Sequence, residues 1–388
     1  MVAFPASLGD NKVLLSRREN LIALAALLTG PGKQPKSTVA FHYAAIFNPE
    51  EVMWYKRFSI LVTGAVLSPQ QSEVLAKGGG KLISYHWSSA FYPGDASSIS
   101  PAWEETMLRN RTSWLLNSSP SGGGAAEEGR AAFWYDFGNP AFIDENSSHL
   151  AALLTKCGYD GYFFDTLGFS HLPEPLRREF RQRHPELDYD RCQGAFLKQL
   201  RDRIPAKKLI FLNQGYRNSD VFLPYADLDL TESYFTAVQQ DGSTVFRKWR
   251  NERRWESISV PMEELVAPAS IKYPRVSFVH LNYAAGNRAE VRRAIRYSYA
   301  AARLWDHHSY VVVPKHASAE RDEIYFADLG NPVSPTYQEH APTGVAWRVF
   351  EKAVVAINSG PGTARIPGLN LDLPDPPQGF VFFKSVKN

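Results

Sequence analysis

The chain has 388 residues, with 43 Lys and Arg against 40 Asp and Glu. That length supports a large core in one big domain or two modest ones, and a charge excess of only +3 leaves no strong electrostatic case for nucleic acid or an anionic membrane. Two cysteines, Cys157 and Cys192, make neither a disulfide framework nor a zinc site, and no apolar run is long enough for a membrane span.

Near the start, Ser16-Arg17-Arg18 precedes a short apolar run over 21–28 and then Thr29-Gly30-Pro31-Gly32. Paired arginines before an apolar run closed by helix breakers resemble a twin-arginine export signal, which would place the protein outside the cytoplasm. The competing reading is an amphipathic helix packed on the domain's outside. Residues 1–37 are therefore set apart as an N-terminal segment.

From about residue 38 the chain alternates strand-like and helix-like segments. Strands are expected at Val39–Ala45, Ile60–Val66, Lys81–Trp87, Phe133–Phe137, Tyr159–Asp165, Leu209–Asn213, Leu228–Ser233, Val276–Tyr283 and Ser309–Val313. Helices are expected between them at Glu50–Arg57, Gln70–Lys77, Ala141–Cys157, Arg191–Arg203 and, most clearly, Ala289–Trp305. Asn287 with Glu290 reads as an N-terminal cap for the last, and Gly158 as the C′ residue of Ala141–Cys157. Cys157 falls on the inferred apolar face of its helix and is expected in the core. Such alternation implies a parallel sheet, and about eight units suit a closed (β/α)8, TIM-like barrel over 38–316. An open doubly wound sheet that binds a dinucleotide would place a glycine-rich turn after its first strand, and 44–49 holds no glycine. Residues 117–130 form a Ser/Gly/Glu-rich loop. Beyond 316 the texture changes to short β segments, with Val345–Phe350 and Lys352–Asn358 reading as a hairpin, so 317–388 is expected to form a small C-terminal β appendage.

Acidic and amide side chains recur at the predicted strand ends: Asp136, Asp165, Asn213 and Glu232. The run Tyr162-Phe163-Phe164 reads as a strand buried on both faces, and Asp165 as a carboxylate at its C-terminal end, where barrel enzymes build their sites. Two carboxylates on separate strands meet the minimum need of glycosidic bond cleavage, in which one protonates the leaving oxygen and the other attacks the anomeric carbon or activates water. Asp165 and Glu232 are the expected catalytic pair. Asp136, His86, Asn213, Tyr234 and Tyr283 are the expected substrate contacts, although Asp136 could instead organise the Asn139-Pro140 turn. His280, inside a strand, reads as a hydrogen-bonded core residue. No His-Glu-x-x-His or phosphate-cradling motif is present, and no metal is assigned. The basic run 247–255 is expected to be a solvated helix face.

Trp134-Tyr135-Asp136-Phe137-Gly138-Asn139-Pro140, then Gly158 to Asp165, then Asn213-Gln214-Gly215 and Thr231-Glu232-Ser233, resemble a group of glycoside hydrolases. These are the endo-α-1,4-polygalactosaminidase type and related hypothetical glycosyl hydrolases, which are (β/α)8 barrels; the likeness spans about residues 39–360. The resemblance implies a glycan substrate, no cofactor, Asp165 in the nucleophile-like position and Glu232 in the acid/base position. Thr166-Leu167 stands where that group often carries further polar residues, so the sugar bound can differ. The readings weighed against a retaining hydrolase are a catalytically inactive carbohydrate-binding barrel and a metal-dependent α/β hydrolase.

Overall fold

In the computed structural model, residues 38–43, 48–64, 67–93, 98–117, 132–247, 265–313, 321–358, 362–367, 369, 371–373 and 378–383 are described. The export-signal segment 16–32, the turn 44–47, and most of the loop 117–130 and of the basic run 247–255 lie outside them.

Eight strands form one sheet in chain order: β1 (Val39–His42), β2 (Ile60–Thr63), β3 (Lys81–Trp87), β4 (Gly161–Asp165), β5 (Leu209–Asn213), β6 (Leu228–Glu232), β7 (Ser277–Tyr283) and β8 (His308–Val312). From β1 through to β6 each strand pairs in parallel with its neighbour, as does β7 with β8, and helices fill the crossovers: α1 (Pro49–Tyr55), α2 (Pro69–Ala76), α3 (Pro101–Asn110), α4 (Pro140–Cys157), α5 (Glu174–Arg183), α6 (Tyr189–Arg203), α7 (Ser219–Phe222), α8 (Ala267–Lys272) and α9 (Arg288–Leu304). This is a (β/α)8 barrel. Contacts divide the described residues into two compact units. One carries β1 to β5, β6 as far as Thr231, and α1 to α8. The other carries Glu232, β7 from Val279 onward, α9, β8 and the C-terminal strands.

Local sequence explains the helix ends. Asn48 with Glu51, Ser68 with Gln71, and Asn287 with Glu290 each form a reciprocal cap, satisfying amides that the first helical turn leaves unpaired. Gly158 stops α4 at φ 74°, as expected for a C′ residue. Three residues on, Gly161 opens β4 where a Cβ would lie 2.1 Å from the Leu209 carbonyl oxygen, so only glycine lets β4 and β5 pair this closely. Cys157, in contrast, is exposed: α4 turns its last residue outward, beyond the reach of the sheet.

In the first unit, two faces of the sheet are distinguishable by their contacts. Phe41, Phe163 and Phe211 meet with ring centroids 5.0–5.7 Å apart, filling the barrel interior from β1, β4 and β5. The intervening residues face the helices: the Tyr162 hydroxyl donates to the Leu150 carbonyl of α4 at 2.9 Å, and Phe164 packs on Phe196 of α6. Both faces of β4 are buried, and for that reason its sequence runs apolar without alternation.

One predicted barrel strand is corrected. Only Phe133 and Trp134 of the Phe133–Phe137 segment are a strand, and they pair antiparallel with Ala90–Phe91 outside the eight-stranded sheet.

In the second unit, β9 (Gln338–His340), β10 (Val345–Val349), β11 (Ala353–Asn358) and β12 (Gln378–Phe383) make an antiparallel sheet that includes the expected hairpin. Val345, Trp347, Val354 and Ala356 pack with Ile366 and Leu373 on one side. On the other side the sheet lies against α9, so closely that a Cβ on Gly379 would sit 2.3 Å from the Arg296 carbonyl oxygen. The buried Arg348 guanidinium donates to the carbonyls of Leu304, at the end of α9, and Pro335, at 3.0 and 2.8 Å.

Candidate active site

Each of β4, β5 and β6 ends in a polar residue followed by a non-glycine residue with positive φ: Asp165 then Thr166 (59°), Asn213 then Gln214 (62°), Glu232 then Ser233 (52°). Among the described residues only one other non-glycine, Asp306, has positive φ. Left-handed backbone of this kind costs roughly 1–3 kcal/mol per residue and persists only where the surroundings over-determine it. Three such residues directly after three strand ends mark the C-terminal rim as the place where conformation is held against its preference.

A buried side chain clamps each turn. At the first, Gln193 of α6 is fully enclosed; it accepts from the Gly168 amide at 2.7 Å and donates to Ser89 Oγ at 2.8 Å, and Ser89 in turn donates to the Thr166 carbonyl. At the second, Asp229 accepts from the amides of Gly215 and Tyr216, both at 2.8 Å. Burial pushes the Asp229 carboxyl up to about 8, opposed by those amides. At the third, Asn282 Oδ1 accepts from the amides of Phe235 and Thr236 at 2.7 and 3.0 Å.

Asp165 shares its sheet face with Phe163 and stands above the aromatic layer of the barrel interior. Its Oδ1 accepts from Asn213 Nδ2 and from the Thr166 amide, both at 2.7 Å, and its Oδ2 accepts from the Tyr85 hydroxyl. All three partners are donors, so the group presents acceptor oxygens, as a nucleophile or a base must. Tyr85 is set by register: in the β3–β4 pairing Tyr85 lies opposite Phe163 and Trp87 opposite Asp165. Side chains on that face therefore enclose Asp165. Tyr43, just past β1, adds its ring edge-on to Tyr85 at 5.7 Å. His171, in the β4–α5 connection, is within electrostatic reach of Asp165, Asp190 and Arg217; burial lowers its pKa most, the two carboxylates raise it, and Arg217 lowers it further.

Glu232, in the other unit, accepts from the Tyr283 hydroxyl at 2.6 Å. Tyr283, expected to contact substrate, thus holds a carboxylate, much as Tyr85 does for Asp165.

Two expected contacts, His86 and Asp136, are placed elsewhere, and a third, Tyr234, is buried. His86 lies opposite Phe164 in the register and packs 5.7 Å from the rings of Tyr162 and Phe164, on the helix-facing side and away from Asp165. Burial, with His149 nearby, lowers its pKa to about 4. Asp136 is 2% exposed; its carboxylate accepts from the Gly138 amide at 3.0 Å and pairs with His184 Nε2 at 2.9 Å, so it organises the turn that begins α4. Because its segment leaves the barrel sheet, it ends no barrel strand. Tyr234 is 3% exposed and packs against Phe235 and His280. Asn213 is brought to Asp165. Sequence reasoning missed Tyr85, Tyr43 and His171; the signal for Tyr85 was its even spacing from Trp87, usable only once the β3–β4 register is known.

His280 is a fully enclosed core residue, as expected, with Nε2 3.0 Å from His307 Nδ1. Burial lowers its pKa to about 3, the nearby His308 adding to the effect. An unfolded chain takes up this proton below about pH 6.5, while the folded protein takes it up only near 3. Stability is therefore unaffected above 6.5 and falls with pH between 6.5 and 3. At pH 4.5 the loss is roughly 2–3 kcal/mol at 1.36 kcal/mol per unit. Denaturant titrations at pH 7 and 4.5 are expected to show a smaller acid loss in His280→Gln than in the parent.

Among the described residues, no group of three or more His, Cys, Asp or Glu is placed to hold a metal ion, and no helix is long and apolar enough to cross a membrane.

No family model and no curated protein sequence matches the chain. Solved structures do match at the level of fold. The glycoside hydrolase domain of PelA from Pseudomonas aeruginosa is 21% identical, with 74% of this chain and 98% of that one covered and a TM-score of 0.50. Amy13B from Eubacterium rectale is 9% identical, with 91% and 97% covered and a TM-score of 0.51. The chain thus has a barrel fold that it shares with glycoside hydrolases.

Proposed function

We propose that the protein is a glycoside hydrolase acting on a polysaccharide or oligosaccharide, with Asp165 as nucleophile and Glu232 as general acid and base in a retaining reaction. Asp165 attacks the anomeric carbon, and the bond to the leaving oxygen breaks as Glu232 gives that oxygen a proton. Glu232 then takes a proton from water, which attacks the glycosyl–enzyme ester and releases Asp165. The single observation that carries this reading is the set of three clamped, left-handed turns directly after Asp165, Asn213 and Glu232. The donors around Asp165 support the attacking role, since a group encircled by N–H and O–H can keep its oxygens aimed at an electrophile. The barrel's likeness to the PelA hydrolase domain is in keeping with this chemistry.

The test is release of reducing ends from a panel of α- and β-linked hexose and hexosamine oligosaccharides by the full chain, compared with Asp165→Asn and Glu232→Gln. Cleavage by the wild type that both variants lose supports the assignment. Equal turnover in the variants would remove it, and tight binding without cleavage would make the protein a carbohydrate-binding barrel.

A further inference from the structure

Four aromatic rings form an edge-to-face chain within the first unit, and one of them, Tyr85, donates to Asp165. Tyr43 meets Tyr85 at 5.7 Å and 86°, Tyr85 meets Trp87 at 6.2 Å and 81°, and Trp87 meets Tyr92 at 5.1 Å and 74°. Their exposure is unequal. Tyr85 and Trp87 are partly buried, but Tyr43 is 40% exposed, although it follows Phe41 on the interior-facing parity of β1. Two residues below it, Phe41 is 2% exposed in the closed aromatic layer. A residue continuing that face past the strand's end stands above the layer at the level of Asp165, where the barrel opens. The Tyr43 ring packs edge-on against Tyr85, the residue that donates to Asp165, while the residue keeps two-fifths of its surface exposed.

An exposed ring packed edge-on against Tyr85, whose hydroxyl joins the Asp165 carboxylate that also accepts from the Asn213 amide, suits a ligand with both an apolar ring face and a polar rim, and a pyranose has both. We propose that Tyr43 is a stacking platform for a pyranose unit of the glycan bound at Asp165, and so a determinant of substrate affinity. This deepens the hydrolase reading and rests on it for the identity of the neighbouring site. The platform acts through binding, so its loss raises KM and leaves kcat largely unchanged.

The experiment compares Tyr43→Ala and Tyr43→Phe, with and without Asp165→Asn, using maltoheptaose, chitohexaose and an α-1,4-linked N-acetylgalactosamine oligomer as probes. In the Asp165→Asn background, calorimetric binding of the best probe is expected to weaken about tenfold, ~1.4 kcal/mol, in Tyr43→Ala. Tyr43→Phe, which keeps the ring, is expected to stay within about twofold of its parent. In the active background the same probe's KM rises with Tyr43→Ala while kcat holds. Unchanged binding in Tyr43→Ala overturns the platform while leaving hydrolysis intact. A fall in kcat at constant KM also overturns it, making Tyr43 only a brace for Tyr85. Binding that Tyr43→Ala weakens, in a wild type that cleaves no probe, sustains the platform and removes the hydrolase. A wild type that binds none of the three overturns both.

Discussion

Asp165→Asn is expected to lower kcat on the order of 10⁴-fold, equivalent to about 5 kcal/mol of transition-state stabilisation. The replacement keeps the side chain's size and an oxygen that can accept from Tyr85 or from the Thr166 amide, so thermal unfolding should shift little. It removes the negative charge and the nucleophile; with the retained oxygen accepting from Asn213 Nδ2 and the Thr166 amide, the new NH₂ faces the Tyr85 hydroxyl, which can accept from it. Glu232→Gln should cost a comparable factor on substrates with poor leaving groups, and much less on activated aryl glycosides, whose departure needs no proton. Azide separates the roles further. If Asp165 forms the covalent intermediate, Asp165→Ala should regain turnover of an aryl glycoside with azide and yield a glycosyl azide of inverted configuration. Under the same conditions Glu232→Ala should yield one of retained configuration. The reverse pattern would exchange the two assignments, and no rescue of either would count against a retaining reaction.

The second large effect concerns stability. Asp229→Ala is expected to destabilise the fold by about 3–4 kcal/mol, because it strands the amides of Gly215 and Tyr216 in a buried site. Asp229→Asn should cost about half as much, since its single oxygen still accepts one amide while its NH₂ opposes the other. Either change also frees the turn at Gln214, whose left-handed backbone has little reason to persist without the clamp. Asn213 precedes that turn and donates to Asp165, so activity should fall more steeply than the fraction of folded protein. Chemical denaturation followed by circular dichroism, with kcat measured on the folded fraction, distinguishes the two effects. A loss of activity that merely tracks unfolding would show that the clamp serves the fold alone.

Much of the architecture was readable from local chemistry. Strand–helix alternation, the caps at Asn287–Glu290, the stop at Gly158 and the apolar run ending at Asp165 all depend on interactions within a few residues. Residue order is sufficient for such features. The C-terminal hairpin was legible for the same reason, with Val345–Val349 and Ala353–Asn358 joined by a short turn.

Which way a side chain faces was a different matter. His86, Tyr85 and Trp87 are consecutive or nearly so on a strand with both faces covered, and such a strand carries no alternation to tell interior from exterior. Only the pairing of β3 with β4 puts Tyr85 and Trp87 on Asp165's face and His86 on the other, because a shift of one residue would exchange them. Asp136 was misplaced for a related reason: Phe133–Trp134 has the composition of a barrel strand, but its partner is Ala90–Phe91, a choice made by long-range pairing. By itself, the sequence determined the strand–helix alternation, the caps and stops of the clearest helices, and that β4, β5 and β6 finish in an acid or amide. Tertiary structure alone decided which of those groups share a face, which buried side chains clamp their turns, and that the exposed Tyr43 just past β1 packs on the tyrosine that donates to Asp165. Register and packing are properties of pairs of segments, and no single segment encodes them.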